Sequence, residues 1–456
     1  MKNLNHIFNP KRVAIIGASR DKNSVGYGVL KSLKEGGVFK TKFSKGYKGK
    51  IYAVNPNAKE ILGIKSYKSV LNIKGKVDLA VICVPAKIVY SVVKECAKKK
   101  VKGLIIISAG FAELGINGKV LQDNIVEIAQ KNKMHIVGPN CLGIIRTKNH
   151  LNTSFAPTMP PEGNVAFITQ SGALADSAID WAVQVNYGFS TIISYGNHAD
   201  LDIHDFIDYL SKDKETNVIA IYMEGLVDGK KFMESVKNCK KPIVVMKAGK
   251  TEDATKAISS HTGSLAGSYE IYKTAFKQSG IYEADSMTDL FGSAWALANL
   301  PKCENNIAIV TNGGGAGVLC ADACNKYGVN LVKLNENTVR KLFKTGKMHH
   351  AFSRRNPLDI VGDALPERYS AAIDVLLKEK YVDGLIVIQT LQTMTDPLKN
   401  AKIIVEARKK YPKKPIICCF LGGKFTQESI DYLNSYKVPT YIDPDFAAKA
   451  MSGLVK

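Results

Sequence analysis

Short continuous runs of apolar residues recur along the chain, most followed by a small-residue turn and then apolar positions at helical spacing. In the first third such runs lie at 13–16, 51–54, 79–84, 104–107 and 135–137. Unbroken apolar character, rather than strict alternation, predicts strands buried on both faces of a parallel sheet. Helices are expected between them, for example at 88–99 and 120–132. A Pro-rich, polar break at 149–163, with Pro157, Pro160 and Pro161, marks a first domain boundary, and a linker around 300–305 marks a second. Two later apolar strands end alike, one in Thr169-Gln170-Ser171-Gly172 and the other in Thr311-Asn312-Gly313-Gly314-Gly315. Their spacing of roughly 140 residues predicts two domains of one architecture, not a short-period repeat. The expectation is an α/β chain of three doubly wound domains, at 1–150, 151–300 and 301–456.

Composition narrows the function classes. With 456 residues and 45% hydrophobic content, the chain can bury a large core. It has no uninterrupted apolar run of about 18 residues, so no membrane span is expected. The first ten residues have no apolar signal core. Nine cysteines, an odd number with no CxxC pair, suit reduced thiols in a cytoplasmic protein, and the eight histidines show no metal spacing. The net charge of +22 comes mainly from lysines near predicted helix C-termini, where they complement the backbone dipole. No basic-aromatic stripe or reading module accompanies them, so no nucleic-acid role is expected. A diffuse positive field suits small polyanionic ligands.

Several sites carry candidate chemistry. After the first strand, Gly17-Ala18-Ser19-Arg20 forms a small-residue turn that could bring backbone amides and a helix end to a phosphate. It is not GxGxxG, and the second strand ends in Asn55-Pro56-Asn57, with Lys59 beyond, where an NAD site would want a carboxylate. Coenzyme A, with its 3′-phosphate, fits better than NAD. Ser171-Gly172 and Gly313-Gly314-Gly315 each set free N–H groups at a helix start, a potential anion site. His261 lies among Ser, Thr, Gly and Ala residues, which reads as an accessible loop between a strand at 242–246 and a helix from 269 to 278. A neutral imidazole there could accept and pass on a phosphoryl group. Glu224 ends an apolar strand at 218–223, where its carboxylate could fix the imidazole tautomer.

Taken together, Gly17-Ala18-Ser19, Gly138-Pro139-Asn140-Cys141-Leu142-Gly143, Thr169-Gln170-Ser171-Gly172, Ser260-His261-Thr262-Gly263-Ser264, Thr311-Asn312-Gly313-Gly314-Gly315 and Asn356-Pro357-Leu358-Asp359 occur in that order. The chain resembles the α subunits of ADP-forming acetate–CoA ligases, in the succinyl-CoA synthetase superfamily, over essentially its whole length. The resemblance implies a Rossmann-like CoA-binding domain followed by two flavodoxin-like domains. It implies that Gly17 to Ser19 bind coenzyme A with Arg20, Asn55, Pro56, Lys59, Val84, Pro85, Ser108, Ala109 and Asn140. It implies that phosphate cleaves an acyl-CoA to an acyl phosphate, and that His261, oriented by Glu224, carries the phosphoryl group to ADP. Ser171, Gly172, Gly313, Gly314, Gly315, Asn356 and Asp359 would hold phosphate. No ATP-grasp region or Walker motif is present, so ADP or ATP with Mg²⁺ is expected on a separate β chain, in an α2β2 assembly. A regulatory platform related to protein lysine acetyltransferases is the alternative, with a non-catalytic CoA-binding module and an NAD dehydrogenase behind it.

Overall fold

The computed structural model describes residues 2–262 and 267–456, with side chains to 258 and again from 267. The chain divides into two compact units, 1–285 and 286–456.

The first unit holds two seven-stranded sheets. One contains β1 (Arg12–Ile16), β2 (Lys50–Val54), β3 (Glu60–Ile61), β4 (Ile64–Tyr67), β5 (Leu79–Ile82), β6 (Gly103–Ile106) and β7 (His135–Val137), in the order β3-β4-β2-β1-β5-β6-β7. Every pairing is parallel except the β3–β4 hairpin. The other sheet contains β8 (Gly143–Arg146), β9 (Leu151–Asn152), β10 (Glu162–Thr169), β11 (Phe189–Ser194), β12 (Val218–Met223), β13 (Ile243–Lys247) and β14 (Tyr282–Glu283), in the order β14-β13-β12-β10-β11-β8-β9. Its long strands are parallel, and β8 and β9 close one edge antiparallel. Strand order reverses beside β1 in the first sheet and beside β10 in the second. At such switch points the flanking helices diverge and leave a crevice at the carboxyl ends of the strands.

The second unit has one parallel sheet of β15 (Ile307–Thr311), β16 (Leu358–Asp359), β17 (Gly384–Gln389), β18 (Ile416–Phe420) and β19 (Thr440–Tyr441), ordered β16-β15-β17-β18-β19. Successive side chains enter opposite cores: Ala308, Val310, Leu385 and Val387 on one face, Ile307, Ile309, Ile386 and Ile388 on the other. Helices cover both faces, so every strand position must be apolar, which is why alternation is missing from the sequence. The helix Met287–Asn299 packs within this unit, through Ala296, on the second of these cores.

Three expected boundaries shift for local reasons. β5 stops at Ile82, and Cys83, Val84 and Pro85 turn out of the sheet before the helix Ala86–Lys98 begins. The helix expected from 120 begins at Ile116, directly after Gly115 at φ 91. The segment expected as an open loop around His261 is helix over Glu252–Thr262, so the backbone of His261 belongs to its last turn. Glu252 and Asp253 complement the positive helix start there, and Ala254, Lys256 and Ala257 favour helix. The side chain of His261 lies outside the described residues. No helix among the described residues is long and apolar enough to cross a membrane.

Candidate functional site

A cavity of about 820 Å³ opens at the carboxyl ends of the two sheets of the first unit. Its walls come from the turn after β1, the ends of β2, β5 and β6, and the loops after β7, β10 and β11. Gly17 forms the floor of the first turn. It has φ 91, and a Cβ there would lie 2.9 Å from the Cys83 carbonyl group. Gly26, in the helix Val25–Glu35, packs so closely that a Cβ would come within 1.9 Å of the Gly17 oxygen. Ser24 caps that helix by accepting from the Tyr27 N–H at 3.2 Å. The helix start and the turn therefore face the cavity together, as a site for a phosphate requires.

Of the residues expected to bind coenzyme A, Gly17, Ser19, Asn55, Val84, Pro85, Ser108, Ala109 and Asn140 line this cavity. The Asn55 amide donates to the Ala18 carbonyl at 2.7 Å and so ties the end of β2 to the turn. Ser108 donates to the Val84 carbonyl at 2.5 Å, and Asn140, at φ 57, donates its N–H to the Ser108 carbonyl at 3.0 Å. Four expected residues are not on the wall. Ala18 is fully buried beneath it, while Arg20, Pro56 and Lys59 are exposed outside it.

Ser171 and Gly172 reach the same cavity from the second sheet. Ser171 caps the helix Gly172–Val185, accepting from the Leu174 N–H at 3.3 Å. Next to it, Gln170 accepts the N–H of Gly225 at 3.1 Å and that of Glu224, clamping the end of β10 to the end of β12. Glu224 is 5% exposed and lies behind the cavity wall, not on it. Lys247, at the end of β13, is buried and donates to the Glu224 carbonyl at 2.8 Å, with the Tyr272 ring 4.6 Å from its nitrogen. Burial pulls the Lys247 ammonium down to about 8, against the pull of the Glu224 carboxylate. Burial, with Glu224 beside it, pushes the Tyr222 phenol up to about 12.

In the second unit, Gly313 caps the helix Gly314–Lys326 without a side chain. A Cβ on Gly313 would lie 2.7 Å from Thr390, and one on Gly314 would lie 2.8 Å from the Asp359 carboxylate, whereas Gly315 faces open space. The Asp359 carboxylate therefore already complements this helix start. Asn356 has a structural task instead of the expected ligand contact. Its amide donates to the carbonyls of Ile307 at 2.8 Å and Val332 at 3.0 Å and accepts from Ile309 N–H at 2.9 Å. Both of its donor hydrogens are thereby committed, leaving none for a phosphate.

Sequence reasoning missed several residues of the cavity wall, among them Ile107, Phe155, Gly196, Asn197 and, in the loop after β11, His198. No spacing signal marks His198, because the loop after β7 that seats its own loop lies about 60 residues away along the chain.

Comparison with known proteins adds three matching domain families. A CoA binding domain model covers residues 11–147, a succinyl-CoA ligase like flavodoxin domain model covers 162–297, and a ligase-CoA domain model covers 307–453. The chain is 42% identical to subunit alpha of acetate–CoA ligase [ADP-forming] II of Pyrococcus furiosus, across 99% of this chain and 97% of that one. It is 45% identical to acetate–CoA ligase [ADP-forming] I of Archaeoglobus fulgidus, and there it spans only 63% of the relative's length. Among solved structures, it superposes with a TM-score of 0.93 on the dinucleotide forming acetyl-coenzyme A synthetase 1 of Ca. Korarchaeum cryptofilum, in complex with phosphate and ADP. That chain is 39% identical, with 100% of this chain and 96% of that one covered.

Proposed function

This chain belongs to the ADP-forming acetate–CoA ligase family, and from that premise we propose that it is the α-type chain of an acyl-CoA ligase whose nucleotide site lies on an ATP-grasp partner. The reaction is acyl-CoA, ADP and phosphate to carboxylate, ATP and coenzyme A, and it is reversible. The observation that carries this reading is the cavity shared by the Gly17 turn and the Ser171–Gly172 helix start. Two helix N-termini at one cavity suit a ligand with phosphates at one end and a thioester, attacked by phosphate, at the other.

In this reading the Gly17 turn, Ser19 and Asn55 hold the nucleotide portion of coenzyme A, and Val84, Pro85, Ser108, Ala109 and Asn140 line the path of its pantetheine arm. Phosphate held at Ser171 and Gly172 attacks the thioester carbon, and coenzyme A leaves as the thiol. His261 takes the phosphoryl group from the acyl phosphate, and Glu224, fixed by Gln170 and Lys247, orients the imidazole. Gly313, Gly314 and Gly315 serve the phosphoryl group in the second unit through their N–H groups, and Asp359 neighbours that helix start. The partner chain holds ADP or ATP with Mg²⁺, in an α2β2 assembly, and the free cysteines suit a cytoplasmic setting. Three domains, at 1–150, 151–300 and 301–456, divide this work.

The test is phosphopeptide mapping after incubation of the chain and its partner with labelled ATP and Mg²⁺. Label is expected on His261, absent in His261→Asn and sharply reduced in Glu224→Gln. Label on another residue overturns the assignment.

A further inference from the structure

We infer that His198 is the proton-transfer residue of the thioester half-reaction, its Nε2 taking the proton of the coenzyme A thiol as sulfur attacks the acyl phosphate and returning it in the reverse direction. The inference rests on reading the cavity as an acyl-CoA site. Among the described residues His198 is the one histidine on that cavity's wall, which Ser171, Gly172, Asn140 and Asn197 also line.

The loop that carries it is held at three successive residues. Asn197 N–H donates to the Pro139 carbonyl at 2.9 Å, His198 N–H to Tyr195 at 3.2 Å and Ala199 N–H to Gly138 at 3.1 Å. A Cβ on Gly196 would lie 2.1 Å from the Asn140 oxygen, so the loops after β7 and β11 touch only because residue 196 has no side chain. His198 itself takes φ 43, a left-handed conformation that a non-glycine residue keeps only when its surroundings impose it. Its ring stands edge-on to Tyr195, with centroids 5.9 Å apart. Nδ1 is sealed from solvent with no hydrogen bond, 3.8 Å from Asp202 Oδ1. With Nδ1 sealed, Nε2 is the nitrogen left to meet a ligand in the cavity, and the Asp202 carboxylate lies on the Nδ1 side beyond hydrogen-bond reach.

A thiol near its ordinary value of about 8.5 is mostly protonated at neutral pH, so attack by sulfur calls for a base. Burial lowers the His198 imidazole below its ordinary value, with Asp202 opposing, which keeps the ring neutral and able to accept. The titratable groups facing it are Asp202 and Tyr195, and burial keeps the Tyr195 phenol neutral. The step balances. The S–H bond breaks with its electron pair left on sulfur and its proton moved to Nε2. That pair forms the S–C bond to the acyl carbon. The C–O bond to phosphate breaks with its pair on the phosphate oxygen, held at the Ser171–Gly172 helix start. The imidazolium proton passes to the departing phosphate or to water. In reverse, the imidazolium protonates the sulfur as phosphate cleaves the thioester.

The experiment measures acetyl-CoA formed from acetyl phosphate and coenzyme A by the full chain, alone and with its partner, across pH. His198→Asn keeps a residue that tolerates left-handed backbone. Its rate is expected to fall by about 100-fold, with unchanged coenzyme A binding by calorimetry and unchanged ATP-dependent label on His261. The wild-type rate should rise with pH through a midpoint below the ordinary histidine value, and Asp202→Asn should move that midpoint lower still. A wild-type rate flat across that range overturns the inference whether or not the His198 variant folds. A His198→Asn rate within about twofold of wild type overturns it too, while leaving the ligase reading intact. A wild-type chain that makes no acetyl-CoA from acetyl phosphate overturns the ligase reading and this inference together.

Discussion

At the scale of single residues, the cavity depends on atoms that are absent. The start of the helix Val25–Glu35 reaches the turn after β1 because residue 26 has no Cβ to collide with the Gly17 oxygen at 1.9 Å. Gly26→Ala should therefore push helix and turn apart, at about 1–3 kcal/mol. Calorimetry should record coenzyme A binding weakened on the order of ten- to hundredfold. Gly315→Ala is the contrasting case, since nothing lies within 4 Å of its added carbon and it sits in a helix. Unfolding should be unaffected, or opposed by about 0.5–1 kcal/mol more than in wild type. A fall in ATP formation in that variant would then report blocked approach of a phosphoryl group, and unchanged turnover would remove Gly315 from the site. The Gly17 turn was legible because small residues after an apolar strand have few other uses. Asn356 misled because an amide at a strand edge looks the same whether it binds a ligand or, as here, the carbonyls of Ile307 and Val332.

At the scale of elements, the second sheet is anchored by a buried ion pair that no sequence pattern announces. Arg146 at the end of β8 pairs with Asp213, which comes directly after the helix Ile203–Lys212, at 2.7 Å and 3.2 Å, and both side chains are about 95% buried. Burial by itself would raise the Asp213 carboxyl, but the Arg146 hydrogen bonds and charge hold it below its ordinary value. A carboxyl whose folded value is depressed stabilises the fold above its unfolded value and loses that contribution as pH falls through the folded one. Urea melts should accordingly show a stability decline below about pH 4 that is smaller in Asp213→Asn. Arg146→Met leaves a buried carboxylate without its cation and should cost about 3–5 kcal/mol at neutral pH. The helix Glu252–Thr262 is the opposite lesson: its composition is helical from 252, yet the small residues from 259 onward read as a loop. Propensity is a weak prior, and weakest in the last turn of a helix, where the chain can leave the helix a residue or two earlier or later at little cost.

At the scale of the whole molecule, the first unit contains its own two sheets, its own core and the entire cavity wall. Residues 1–285 expressed alone should fold and bind coenzyme A with the affinity of the full chain by calorimetry, and should yield no ATP. A fragment that folds but does not bind would show that the cavity is not the coenzyme A site. What the sequence determined unaided was the doubly wound α/β class and the glycine turns, because apolar runs of strand length and small residues at strand ends are constraints each segment must meet locally. The pairing of those turns into one cavity, the setting of Glu224 behind its wall and the seating of His198 on it were decided only by tertiary structure. They depend on contacts between loops about 60 to 180 residues apart, brought together by strand order, and no local pattern records which loop will face which.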